Sequence, residues 1–121
     1  MKSIERRRIL HKILEDIVSD FTNDKTPRVF YNTPGNKLLV YPCIIYRQVS
    51  LRPRFADNMK YYTSTTYELQ VLHKLPDDAI VDDIYDRINN SVFLNSYTMD
   101  NIIHTIIQVD TGGLINGNYA T

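Results

Sequence analysis

The sequence predicts an α+β domain: one mixed, mostly antiparallel sheet with two helices packed on it, in the order α-β-β-β-α-β-β. Three observations predict it. Near the start, Leu10, Ile13, Leu14, Ile17, Val18 and Phe21 recur at helical spacing. Two β-rich runs follow, from Leu38 to about Gln48 and from Tyr61 to Lys74. A second helical stripe, Ile80, Val81, Ile84 and Ile88, then separates these from a final pair of β-rich runs.

The first stripe predicts an amphipathic helix over residues 3–22 with Ser3 as its N-cap. One turn back, the stripe meets Arg6 and Arg7, so the first turns are expected to overhang the core, with both guanidinium groups turned to solvent or to a partner. Asn23-Asp24-Lys25-Thr26-Pro27 breaks the helix, Val29-Phe30-Tyr31 is a short strand, and Pro34-Gly35 suits a type II turn. Pro42 lacks a ladder donor, so the run from Leu38 is expected to be an edge or bulged there. In the next run Tyr67, Leu69, Val71 and His73 share one face, against Thr66, Glu68, Gln70 and Lys74. Pro76-Asp77-Asp78 opens the second helix, with an aspartate as cap, and Asn89-Asn90 ends it. Val92 to Tyr97 and Ile102 to Val109 form a strand pair across Thr98-Met99-Asp100-Asn101; the second is apolar on both faces and belongs at a sheet centre or a subunit contact. Residues 1–110 are thus expected to be one domain, and 111–121, with Gly112, Gly113 and Gly117, a mobile tail ordered by a partner.

Between the two long runs lies a basic stretch from Arg47 to Lys60. Hairpin loops usually span about two to five residues, so a connector of this length reads as a working surface. The candidate interface residues are Arg47, Arg52, Arg54, Phe55, Asp57, Asn58, Lys60, Tyr61 and Tyr62, joined by Arg6 and Arg7 from the first helix. The nine tyrosines suit such a surface, combining contact area with a hydrogen-bonding tip.

Charge is distributed unevenly. The 121 residues have no formal net charge, yet residues 1–60 hold twelve Lys/Arg against six Asp/Glu, and residues 61–121 hold two against eight. Opposite poles favour head-to-tail contacts between copies, which close into rings or run into filaments, unless folding interleaves the halves. A neutral whole does not drive binding to nucleic acid or membrane, and no run approaches the roughly 18 apolar residues of a membrane span. The single Cys43 excludes an intramolecular disulfide framework, and a reducing cytoplasm is expected.

The chemical residues form no catalytic constellation. His11, His73, His104 and Cys43 lack the paired spacing of a zinc site, and His11 is placed off the buried stripe. Cys43 reads as a buried, inert thiol between Pro42 and Ile44. The pairs Asp77-Asp78 and Asp82-Asp83 read as helix capping and a solvated face, and the four glycines lack phosphate-loop spacing. No enzyme, metal or cofactor is expected. Arg6-Arg7-Arg8 with the connector would suit a small nucleic-acid-binding regulator, but the basic residues are sparse.

The runs Tyr41-Pro42-Cys43-Ile44-Ile45-Tyr46 and Phe55-Ala56-Asp57-Asn58, the strand Tyr62 to Leu72 closing on Leu75-Pro76-Asp77, and Asn95-Ser96-Tyr97-Thr98-Met99-Asp100-Asn101 before a strand with His104 resemble the tail terminator (tail completion, head-tail joining) proteins of long-tailed bacteriophages. The resemblance covers roughly residues 38–109. It implies a homo-oligomeric ring, usually a hexamer, that caps the tail tube, stops its polymerisation and presents a surface to the neck of the head. It implies tail tube protein and a neck or head-completion protein as partners, DNA passing unread through the lumen, and a place in the virion after assembly in the bacterial cytoplasm. A head-completion or neck connector of the same particle would share these features and differ in its partner.

Overall fold

The computed structural model describes residues 3–23, 26–32, 39–56, 59–75, 79–111, 114–115 and 118–119, with Ser3, 51–64, 114–115 and 118–119 described by backbone alone. The elements run α1 (Ser3–Thr22), β1 (Val29–Tyr31), β2 (Cys43–Ala56), β3 (Met59–His73), α2 (Ala79–Arg87), β4 (Ser91–Met99) and β5 (Ile102–Asp110). This is the predicted α+β order. The five strands form one sheet in the spatial order β1-β2-β3-β5-β4, with β1 parallel to β2 and every other pairing antiparallel.

Helix α1 begins at Ser3, the residue expected to cap it, and ends where Asn23, at φ 58°, donates its N–H to the Ser19 carbonyl. Asparagine tolerates this left-handed conformation because its short polar side chain can hydrogen-bond locally. Leu10, Leu14, Ile17 and Val18 are buried against one face of the sheet, and Ile80, Ile84 and Ile88 from α2 and the residue after it bury beside them. Register supplies the opposing layer: Ile44 faces Val71, Tyr46 faces Leu69, and Leu69 and Tyr67 face Ile107 and Val109. These residues share one face, as strand alternation requires, and all are at most 1% exposed. Phe21, expected in the α1 stripe, is instead 36% exposed. It lies in the last turn of the helix.

Other expectations are corrected. The stretch from Arg47 to Lys60 is not a connector: β2 continues to Ala56 and β3 starts at Met59, leaving only Asp57 and Asn58, which lie outside the described residues. Pro53 was the misleading residue. It pairs with Thr63 where, among the described residues, neither strand has a further neighbour, and a strand accommodates proline at a free edge. β2 also begins at Cys43, after Pro42, which follows a cis peptide bond, instead of at Leu38. The Pro34-Gly35 turn and the Pro76-Asp77-Asp78 cap lie outside the described residues. Beyond β5, in the stretch expected to be a tail ordered by a partner, β6 (Leu114–Ile115) and β7 (Asn118–Tyr119) pair antiparallel in a ladder of their own. Thr111, assigned to that tail, is buried and donates its hydroxyl to the Thr65 carbonyl at 2.8 Å.

Candidate interaction surface

Three regions remain once the core is assigned: a polar-aromatic cluster under α1, a two-stranded arm, and the outer edge of β4. The cluster forms because β1, β2 and β3 carry Tyr31, Tyr46 and Tyr67 on their helix-facing side. Their rings pack with centroids 5.1 to 6.3 Å apart, within the range of favourable tilted and edge-to-face contacts. The N-terminal turns of α1 lie over these rings. Arg7 places its guanidinium 4.4 Å from the centre of the Tyr31 ring and donates Nη1–H to the Tyr46 hydroxyl at 3.3 Å. Arg6 is only 7% exposed.

The expectation that Arg6 and Arg7 overhang the core toward solvent is therefore wrong. The tyrosines extend the inner layer under the first turns, and ring faces and a phenol oxygen accommodate guanidinium groups that aliphatic neighbours would exclude. His11, expected off the buried stripe, shares a 2.6 Å hydrogen bond with the same Tyr46 hydroxyl through Nδ1, while its Nε2 lies 3.4 Å from Glu15 Oε1. Glu15 favours the ring proton on Nε2, which leaves Nδ1 to accept from the phenol. Burial outweighs Glu15 and lowers the His11 pKa. Burial raises the pKa of Tyr46 and pushes Tyr67 up to about 12. This cluster satisfies buried polar groups and seats α1.

On the sheet face away from the helices, Arg47 is exposed and pairs with Glu68 across β2 and β3 at 3.3 Å. Gln70 donates from Nε2 to the Tyr97 hydroxyl at 3.2 Å and to His104 Nδ1 at 2.7 Å, and Tyr97 stacks on His104 with centroids 4.8 Å apart. Asn32, Ile45, Tyr46, Arg47, Glu68 and Gln70 line a shallow cleft of about 260 Å³. Cys43 is fully buried and burial pushes its thiol up to about 11, away from thiolate chemistry. His73 is buried as well, donating Nδ1–H to the Leu75 carbonyl and accepting from Thr105 at Nε2. Among the described residues no group of three or more His, Cys, Asp or Glu side chains is placed to hold a metal ion, and no helix is long and apolar enough to cross a membrane.

Arg52, Arg54 and Phe55 lie in β2, in register with Ser64, Tyr62 and Lys60, and Tyr61 lies in the same stretch of β3. They belong to the arm. β5 pairs with β3 only from Thr66 to His73, and β1 pairs with β2 only from Ile44 to Tyr46. The six pairs from Leu51↔Thr65 to Ala56↔Met59 therefore extend the hairpin past every other described strand. At about 3.3 Å per residue the extension is roughly 20 Å long. The sequence-predicted surface thus divides: Arg52, Arg54, Phe55, Lys60, Tyr61 and Tyr62 share the arm, Arg47 sits at its base, and Arg6 and Arg7 are in the core cluster instead.

Sequence reading missed the third region. β4 is the last strand of the sheet, and it exposes Val92 (57%), Phe93 (52%), Leu94 (47%), Tyr97 (39%) and Met99 (55%). Its residues include no charge and no proline. The available signal was that absence, since exposed edge strands usually carry lysine, proline or an inward charge. No protein-family model matches this chain, and no curated protein sequence matches it at a significant level.

Proposed function

We propose that this protein is a bacteriophage tail terminator: it assembles into a ring, with six copies the expected number, that caps the tail tube and joins it to the neck of the head. The observation that carries the reading is the arm. A two-stranded ribbon standing alone is marginal in water, so a hairpin continued for six pairs past its sheet is best understood as an element completed by a neighbour. Arg52 and Arg54, candidate interface residues in the sequence, fall within it. The strand order supports a head-to-tail ring as well. β1 and β2 come from the basic half of the sequence and occupy one side of the sheet, while β5 and β4 come from the acidic half and occupy the other, with β3 between them. Opposite poles on opposite edges orient identical copies in a heterologous, closing contact.

Arg52→Glu combined with Arg54→Glu tests the reading. Circular dichroism should show the fold retained, and native mass spectrometry should show loss of the ring or of its complex with tail tube protein. Unchanged oligomer mass together with unchanged tube capping would overturn the arm's role. A ring that binds a portal-side protein and ignores tube protein would identify a neck connector instead.

A further inference from the structure

Among the described residues, the arm and the β4 edge both lack a strand neighbour, and they are complementary. Along the arm, the outer edge of β3 runs from Met59 to Ser64 with no proline and with Tyr61, Tyr62 and Thr63 favouring extended backbone. The other outer edge of the arm belongs to β2 and contains Pro53, which has no N–H to donate. β4 offers nine residues with an open outer edge. Its pairing with β5 shifts register between Phe93 and Asn95, leaving Asn95–Met99 as a regular run.

Charge points the same way. The segment from Arg47 to Lys60 has four basic residues against Asp57 alone. β4 has none of its own; it packs against α2, whose sequence carries Asp82, Asp83 and Asp86, and Asp100 lies in the turn that follows it. Two β4 edges brought together would oppose acidic surroundings to acidic surroundings. An arm brought to a β4 edge sets basic against acidic.

We propose that the outer edge of β4 receives, by strand addition, the unpaired β3 edge in the arm of a second copy of this chain. Backbone N–H and C=O groups of the arm complete the ladder, and Val92, Leu94 and Met99 become covered. Each copy donates an arm and accepts one, so the contact is heterologous and repeats from copy to copy around the ring. The inference rests on the ring of the proposed function for its closure, and it names the surfaces that meet.

The test uses the full chain with Cys43→Ala, carrying either Tyr62→Cys at the middle of the arm edge or Asn95→Cys at the middle of β4. A short bis-maleimide should link the two variants when they are mixed and should yield little product from either alone. Linkage within Asn95→Cys alone would mean that β4 pairs with β4, which overturns the proposal. A second pair of variants guards against disturbance by the cysteines. Val92→Lys with Leu94→Lys, and replacement of residues 53–63 by Asn-Gly to close Arg52 onto Ser64, should each weaken self-association at least tenfold by sedimentation while keeping the native circular dichroism. A wild-type chain that stays monomeric, or variants that associate like wild type, would overturn it. The outcomes separate from those of the ring-capping reading: tube capping without arm-to-β4 linkage rejects this interface alone, and linkage without tube capping rejects the terminator assignment alone.

Discussion

At the scale of single residues, the tyrosines under α1 show how polar side chains enter this core. Tyr46 and Tyr67 are at most 1% exposed, and the Tyr46 hydroxyl is held by both Arg7 and His11. Arg7 and His11 are one helical turn apart, so a single phenol can meet both. The phenols are stable in this layer only while neutral. Burial, the largest cause, holds Tyr67 up to about 12 in the folded chain, against about 10 for an unperturbed phenol. Between those values the unfolded chain ionises and the folded chain does not. The stability contributed by neutral Tyr67 is therefore fully present below about pH 10 and is lost as pH rises toward about 12. Tyr67→Phe should flatten the alkaline fall in melting temperature, measured from about pH 9 to about pH 11. An identical fall in the variant would mean that other groups govern the alkaline limb.

At the scale of elements, the apolar stripes do different jobs. Ile84 is fully buried between α2 and the sheet, whereas Val92 is 57% exposed on the edge. Ile84→Ala should cost about 2–5 kcal/mol through lost burial and a residual cavity. Val92→Ala should stay within about 0.5 kcal/mol, as surface changes do. Denaturant unfolding below the concentration of self-association checks both, and a large loss at Val92 would assign β4 to the monomer's own stability. The helices and the strand faces were legible in the sequence because each carries an apolar period that only one geometry satisfies. Ser3–Thr22, Val29–Tyr31 and the face Tyr67, Leu69, Val71 and His73 lie where that period places them. The arm was hidden because a mixed basic stretch with Pro53 has no apolar period at all, and its pairing is held by backbone groups. The β4 edge was hidden because strand order is not written in local pattern: Phe93 and Leu94 look like core until β5 is placed between β3 and β4. Arg28 was missed for a similar reason; it is buried and donates Nη1–H to the Val40 and Pro42 carbonyls, which only a parallel β1–β2 pairing brings near.

At the scale of the whole molecule, the order β1-β2-β3-β5-β4 puts β1 and β2, from the basic half of the chain, on one side of the sheet and β5 and β4, from the acidic half, on the other. Exceptions such as Arg87 to Asp20 and Arg47 to Glu68 stitch across the divide without erasing it. Contacts between opposite poles on the surface are screened over about 10 Å at 0.1 M salt and about 3 Å at 1 M. The proposed self-association should therefore weaken as salt is raised over that range, read by sedimentation or native mass. Strengthening instead would show the exposed apolar residues of β4 to be the dominant attraction. The ring trio beneath the first helix also gives the molecule its own optical reporter. With nine tyrosines and no tryptophan, intrinsic emission comes from phenols alone, unobscured by indole. Tyr31, Tyr46 and Tyr67 sit where Arg7 and His11 touch them. Lifting that helix frees those phenols to water, so the ultraviolet emission registers its seating in real time without any attached dye.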